Sequence, residues 1–182
     1  MLTPRQKTPN LTLPLTAGGE FDLASDGGSR GTLVVFYRGL HCPICVPYLQ
    51  ELGKLTPEFE ERGVKTIAIS SDTAERAAEM EAKVKQPALR FAHSLTLPAA
   101  RDWGLFVSAG IGKTSIGVEE PALFSEPGLF LVHPDLSLYF SAVQTMPFAR
   151  PHFSDILKAL DFVIAKNYPA RGEYTGPVET AA

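Results

Sequence analysis

Cys42 and Cys45 are the only cysteines of this 182-residue chain, and two residues separate them. Such a Cys-x-x-Cys pair can cycle between a dithiol and a disulfide. The thiolate of one cysteine attacks the substrate, and the second thiol then releases the product by closing the disulfide. We interpret Cys42 as the attacking cysteine and Cys45 as the resolving cysteine, with Pro43 stiffening the turn between them.

The surroundings of the pair predict a thiolate at Cys42. Residues 32–37 show no alternation of polar and apolar side chains, which is typical of a central strand buried on both faces. After the pair, apolar residues recur at helical spacing: Leu49, Leu52, Leu55 and Phe59. We therefore expect Cys42 at a helix N-terminus, with Pro43 in the first turn. Free backbone N–H groups and the helix dipole would lower the pKa of the thiol there.

Two basic residues, Arg38 and His41, stand in the loop before Cys42. A positive charge on either side chain would lower the pKa of Cys42 further. The sequence leaves two alternatives open, which are a solvated loop arginine and a neutral histidine at the loop edge.

Two other interpretations of the cysteine pair stay open. The first is a structural pair of small buried side chains, and the second is half of a metal site. A metal site needs more ligands, and no histidine stands at a spacing that completes a known zinc pattern with the pair: His41, His93, His133 and His152. We predict no metal and no other cofactor.

The composition predicts one soluble globular domain. Hydrophobic residues make up 45% and charged residues 20% of the chain, and the net charge is −3. Because there is no basic excess, we expect no nucleic-acid partner. The cysteines are too few for a disulfide-stapled secreted domain, and no secretory signal or membrane-spanning apolar segment is evident. We therefore expect a cytoplasmic protein without a membrane partner.

The order of predicted elements indicates an α/β fold. A β-hairpin near the N-terminus is followed by strands that alternate with helices, then by a second hairpin and a closing helix, at residues 11–23, 32–37, 64–69, 73–85, 89–92, 98–103, 128–143 and 154–167. We expect a central mixed sheet with helices on both faces. The domain is expected to span residues 9–166, with flexible tails at 1–8 and 170–182. Residues 107–126 show no readable pattern.

Three segments resemble the thioredoxin fold in its peroxiredoxin-like version, the alkyl hydroperoxide reductase/thiol-specific antioxidant family. They are TLVVFYRGLHCPIC at 32–45, IAISSDT at 67–73 and GLFLV at 128–132. The resemblance covers about residues 9–166. It implies a thioredoxin-like fold and a thiol-dependent antioxidant enzyme that uses an external thiol reductant. Homodimers are common in that family.

The chain departs from the family pattern at groups that bind and activate peroxide. The family's proline, threonine and arginine are replaced by Val35, Gly39 and Pro127, and its glutamate three residues after the reactive cysteine is replaced by Cys45. From the peroxide-binding set, Cys42-Pro43 and Arg150 remain. These departures favour thiol–disulfide exchange slightly over peroxide reduction.

Pro127 also resembles a proline that precedes a late strand in thioredoxins. In that family the proline is cis and lies beside the active-site disulfide. Because X–Pro bonds are where cis peptides usually occur, we expect Glu126–Pro127 to be a candidate cis bond. An ordinary trans proline at the start of a strand is the alternative.

The sequence therefore predicts a thiol-dependent oxidoreductase that cycles Cys42 and Cys45 between dithiol and disulfide. Its substrate would be a protein or small-molecule disulfide, or a hydroperoxide. The supporting residues would be Arg38, His41, Pro43, Pro127 and Arg150. The alternative is a non-catalytic module on the same fold, in which the pair serves as a redox sensor or a metal clip.

Overall fold

The computed structural model describes residues 2–179. The strands are β1 (Thr12–Pro14), β2 (Glu20–Asp22), β3 (Gly31–Phe36), β4 (Val64–Ile69), β5 (Arg90–Ala92), β6 (Val107–Ala109), β7 (Leu123–Ser125), β8 (Gly128–Val132) and β9 (Leu138–Val143). The helices are α1 (Cys45–Glu61), α2 (Ala74–Val84), α3 (Leu97–Asp102) and α4 (Phe153–Lys166).

Five strands form the central sheet, in the order β5-β4-β3-β8-β9. β3 is its middle strand, and it pairs in parallel with β4 and antiparallel with β8. All six residues of β3 are buried, because both faces of the sheet are covered. The predicted mixed sheet is confirmed, and so is the N-terminal hairpin, which β1 and β2 form.

Alternate side chains of β3 point to two hydrophobic clusters. Leu33 and Val35 belong to the cluster that contains the buried faces of α1, α2 and α4. Val34 and Phe36 belong to the cluster on the opposite face, with α3 and the β1–β2 hairpin. Helices therefore lie on both faces of the sheet, as the sequence predicted.

An aromatic group stabilises the second cluster. The ring centroids of Phe36 and Trp103 are 5.3 Å apart, and those of Trp103 and Phe130 are 5.0 Å apart. Each ring of this size buries roughly 150–250 Å². Phe36 is the last residue of β3 and pairs with Gly128, the first residue of β8. The aromatic group therefore packs where β3 ends and β8 begins.

The residues predicted to be flexible tails make specific contacts. The backbone N–H of Arg5 donates to the carbonyl oxygen of Leu138 (2.7 Å), and its Nε donates to the carbonyl oxygen of Ala170 (3.0 Å). Thr8 is buried, and its N–H donates to the carbonyl oxygen of Leu136. Residues 5–8 thus extend along the start of β9. The domain bounds 9–166 stay a prediction, and residues 1 and 180–182 lie outside the described part.

Several chain segments converge at one edge of the sheet. The parallel strands β3 and β4 both end there, so residues 37–44 and 70–73 follow side by side. β8 runs in the opposite direction and begins at the same edge. Residues 107–126, unreadable in the sequence, contribute the β6–β7 hairpin just before β8. Among the helices of residues 2–179, none combines the length and apolar character that crossing a membrane requires.

Candidate active site

Cys42 lies in a tight turn before α1, and not at the helix N-terminus as predicted. Its N–H donates to the carbonyl oxygen of Gly39 (3.1 Å), and its own carbonyl oxygen accepts from the N–H of Cys45 (3.2 Å). The helix begins only at Cys45, with Ile44 as N-cap. Because the bond between Cys42 and Cys45 closes a separate turn, the predicted helix start was three residues too early. Pro43 lies inside that turn.

Both cysteines carry free thiols and are almost completely buried. Cys42 is 1% exposed and Cys45 is 0% exposed. A thiol in such an environment stays inert unless nearby groups stabilise its thiolate.

Arg150 is the charged group in direct contact with both sulfurs. Its Nη2 lies 3.7 Å from the Sγ of Cys42 and 3.4 Å from the Sγ of Cys45. The guanidinium is held in place because its Nε donates to the carbonyl oxygen of Pro147 (2.8 Å) and because it lies over the ring of Tyr48 (4.9 Å to the centroid). The structure therefore brings Arg150 to the cysteine pair from the loop before α4.

The two thiols have pKa values shifted in opposite directions. A hydrogen bond from the Cys45 thiol lowers the pKa of Cys42 to about 6, against the effect of burial and with help from the charges of Arg150 and then Arg38. Burial, together with the neighbouring Cys42, raises the pKa of Cys45. Near pH 7 the site can therefore hold a thiolate at Cys42 and a thiol at Cys45.

Arg38 lies in the cysteine loop, but two carboxylates share its charge. Its Nε is 3.2 Å from Oε2 of Glu126, and its Nη2 is 3.5 Å from Oε1 of Glu120. The guanidinium also stacks on Phe124, 4.6 Å from the ring centroid. The Coulomb attraction of Arg38 for the Cys42 thiolate is accordingly the weaker of the two arginine contributions.

His41 brings no positive charge to Cys42, which agrees with the alternative of a neutral histidine that the sequence left open. Its side chain is completely buried, and its ring centroid lies 4.5 Å from that of Phe124. Burial, followed by repulsion from Arg38, lowers the pKa of His41 to about 4. The imidazole is therefore neutral near pH 7. His41 packs the loop against the β6–β7 hairpin.

The Glu126–Pro127 peptide bond is trans, so the expectation of a cis bond is wrong. Pro127 leads directly into β8, and its carbonyl oxygen accepts from the N–H of Gln144 (3.1 Å). The trans isomer is the favoured one by roughly 0.5–1 kcal/mol for X–Pro bonds. The proline serves as the start of a strand here, which was the alternative interpretation.

Sequence reasoning missed the carboxylates below the cysteine loop. Glu120 and Glu126 lie in the segment without a readable pattern, and Ser108 donates to Oε1 of Glu126 (2.6 Å). Asp72 does not cap α2, because Thr73 is the N-cap of that helix. Asp72 instead accepts from the backbone N–H of Leu40. The sequence shows that these residues are acidic, which was the available signal. That their side chains are buried is visible only in the fold.

A cleft of about 560 Å³ opens beside Arg150. Its walls include Ile44, Tyr48, Glu51, Phe148 and His152. It offers a route by which a substrate can approach the guanidinium. In the described residues, no group of three or more His, Cys, Asp and Glu side chains is arranged to hold a metal ion.

Comparison with known proteins shows the relationship of the chain. The model of the AhpC/TSA family matches residues 4–140. A Mycobacterium tuberculosis protein assigned to the peroxiredoxins is 30% identical over 126 residues, which cover 64% of this chain and 74% of that protein.

Solved structures agree on the fold. A mutant of peroxiredoxin 6 from Arenicola marina matches with a TM-score of 0.75 at 22% identity, over 92% of this chain and 76% of that chain. The AhpC of Mycobacterium tuberculosis matches with a TM-score of 0.73 at 15% identity, over 93% and 97% of the two chains. Since the family model covers most of the sequence, the chain belongs to the AhpC/TSA family of peroxiredoxin-like proteins.

Proposed function

We propose that the protein reduces hydroperoxides, with Cys42 as the nucleophile and Cys45 as the resolving thiol. The observation that carries this proposal is the position of the Arg150 guanidinium, within reach of both sulfurs. Membership of a family whose relatives are named peroxiredoxins supports it. The non-catalytic alternative, a redox sensor or metal clip, is not favoured by these relatives.

The reaction balances with the two thiols as electron donors. The Cys42 thiolate attacks the terminal peroxide oxygen, the O–O bond breaks, and the leaving alkoxide takes a proton to become an alcohol. Cys42 is then a sulfenic acid. The Cys45 sulfur attacks it, the S–S bond forms, and the departing hydroxide leaves as water with the Cys45 proton. An external thiol reductant restores the dithiol.

Arg150 supplies the electrostatic contribution in this proposal. It donates toward the thiolate before the reaction and faces the oxygen on which charge develops as the O–O bond breaks. Because both cysteines are buried, water screens this attraction weakly. The sequence slightly favoured disulfide exchange because Pro127 and Gly39 replace the family's arginine and threonine. The contact of Arg150 with the sulfurs shifts the preference to peroxide reduction.

The physiological reductant is proposed to be a thiol of a reducing compartment such as the cytoplasm. In an oxidising compartment the Cys42–Cys45 disulfide would persist, and the cycle would stop after one turnover. A disulfide substrate remains the second candidate, because a Cys-x-x-Cys pair with one acidic thiol is also suited to exchange.

Rapid mixing of the reduced protein with hydrogen peroxide, and separately with a disulfide, tests the proposal. We expect wild type to consume peroxide faster than disulfide and to turn over with a dithiol reductant. C42S should be inert, and C45S should consume one equivalent of peroxide rapidly and then stop. Equal reaction of wild type and C42S would refute the catalytic assignment. A faster reaction with the disulfide would select exchange, and oxidation without turnover would select the sensor.

A further inference from the structure

A buried carboxylate, Asp72, lies directly below the loop that carries Cys42. Its side chain is 1% exposed. One oxygen, Oδ2, accepts the backbone N–H of Leu40 at 2.7 Å, and the other, Oδ1, accepts from Nε of Arg76 at 3.0 Å. Leu40 is two residues before Cys42, so this hydrogen bond ties the reactive turn to the end of β4.

The Asp72 side of this contact is held rigidly. The carbonyl oxygen of Asp72 accepts from the N–H of Ser94 (2.9 Å), and Thr73 next to it caps α2. Arg76 continues the connection, because its Nη2 donates to the carbonyl oxygen of Glu119 (3.3 Å) in the segment between β6 and β7. The Asp72 carboxylate is therefore a hydrogen-bond acceptor that is held in place by contacts outside the cysteine loop.

The loop fits closely against this carboxylate. Gly39 has a φ of +133°, and a Cβ placed there would come within 2.8 Å of Oδ2 and 2.9 Å of Oδ1 of Asp72. Only glycine combines that backbone conformation with so short an approach. The glycine that replaces the family's threonine is thus explained by its contact with Asp72.

The sign of the charge separates two possible roles of Asp72. A carboxylate near a thiolate disfavours the thiolate, so its negative charge alone would make Cys42 less acidic. The groups that favour the Cys42 thiolate are Cys45, Arg150, Arg38 and the N–H of Ile44. All of these act only if the turn is held in the right place.

We propose that Asp72 is a positioning residue that holds Leu40 and thereby places the Cys42 sulfur against Cys45 and Arg150. The inference rests on the proposed function in one respect, that Cys42 is the reacting thiol. It goes beyond that function, because it assigns the geometry of the nucleophile to a residue that contacts neither sulfur nor substrate.

Titration of the Cys42 thiolate by ultraviolet absorbance, together with its alkylation rate at pH 6.5, tests the proposal without any peroxide. In D72N the amide oxygen can still accept from Leu40, so we expect the pKa of Cys42 to stay at or slightly below the wild-type value. D72A removes the acceptor. We expect it to raise that pKa by about one unit, and alkylation at pH 6.5 should then be about threefold slower.

Two further variants separate an effect on the Cys42 thiol from a general loss of stability. T73A removes the neighbouring helix cap, so it should lower the unfolding midpoint and leave the pKa of Cys42 unchanged. G39A acts from the loop side and should raise the pKa as D72A does. The double variant G39A/D72A should then show no further increase in the pKa of Cys42, because both changes break the same contact between the loop and residue 72.

A lowered pKa of Cys42 in both D72N and D72A would show that Asp72 acts through charge and would overturn the proposal. An equal rise in the two variants would show that the hydrogen bond accepted from Leu40 is not what places Cys42, and it would overturn the proposal as well. If T73A shifts the pKa of Cys42 as much as D72A does, the effect is one of general destabilisation. That result would also overturn the proposal. If wild type does not consume peroxide while D72A still shows the raised pKa, the proposed function fails and the positioning role stands.

Discussion

Cys42 and Cys45 share one arginine and one turn, yet they ionise in opposite directions. The difference arises because the Cys45 thiol donates its hydrogen bond to Cys42 and is itself the more deeply buried of the two. Ionising either sulfur first makes ionisation of the other less favourable, so the pair holds one negative charge. Such a pair provides a nucleophile and a separate protonated thiol at the same pH.

The acidity of Cys42 predicts a characteristic pH profile. Because the folded pKa is lowered to about 6, the thiolate predominates above pH 7 and is lost as the pH falls through 6. The rate of alkylation by iodoacetamide should be flat above about pH 7 and fall about tenfold per pH unit below pH 6. In the C42S variant this pH-dependent alkylation should be absent. A midpoint near the ordinary thiol value of about 8.5 would contradict the geometry.

Substitution of Arg150 should slow peroxide reduction while leaving the fold intact. R150M removes a charge-assisted contact with both sulfurs, which is worth roughly 1.5–3 kcal/mol, or about 10- to 100-fold in rate. R150K keeps the charge but loses the planar fork, so its loss should be smaller. Stopped-flow peroxide consumption measures both effects.

The matched control for Arg150 is R101M, since Arg101 is an exposed arginine of α3. It should leave the rate within about twofold of wild type. A rate for R150M equal to that of R101M would show that Arg150 takes no part in the chemistry.

At the scale of elements, the carboxyl end of the central strand β3 could be predicted from sequence. The β6–β7 hairpin, which packs against the loop that follows β3, could not. The run of residues 32–37 needs burial on both faces, which identifies a central strand without further information. The start of α1 was misplaced because turn and helix hydrogen bonds differ by one residue of spacing, which no local pattern at Pro43 distinguishes. The β6–β7 hairpin has strands of three residues each, too short for a readable alternation.

The β6–β7 hairpin should depend on the ion pair between Glu126 and Arg38. E126Q leaves Arg38 with only Glu120 as a charged partner, in a site where the Glu126 side chain is 5% exposed. Breaking a fully buried pair costs roughly 3–5 kcal/mol, and we expect about 2 kcal/mol here because Arg38 keeps some contact with water. Urea unfolding at pH 7 measures the loss.

The exposed pair of Glu79 and Lys83 on α2 is the control for Glu126. E79Q should change the free energy of unfolding by less than about 0.5 kcal/mol, because both partners are solvated. Equal losses in the two variants would mean that burial of the Arg38 pair contributes nothing.

At the scale of the whole molecule, sequence could place the cysteines but not all of their partners. Cys42, Pro43 and Cys45 are neighbours in the chain, so their spacing carried the chemistry. Arg150 comes from 105 residues beyond Cys45, and only its family resemblance suggested it. The same limit applies to residues 5–8, since no sequence pattern indicated their backbone hydrogen bonds beside β9. Contacts between distant segments depend on the sheet order, which the alternation of side chains does not specify.

Removal of residues 1–8 should destabilise the domain, although the sequence predicted a flexible tail there. The described part of this segment exchanges three backbone hydrogen bonds with Leu136 and Leu138 at the start of β9, and it buries Thr8. At about 1 kcal/mol for each net hydrogen bond, the loss should be about 3 kcal/mol in urea unfolding. Removal of the residues after Glu173 is the control, because Tyr174 and Val178 are largely exposed there, and it should change stability by less than about 0.5 kcal/mol. If the two truncations leave stability equally unchanged, residues 5–8 do not belong to the folded unit and the bounds 9–166 hold.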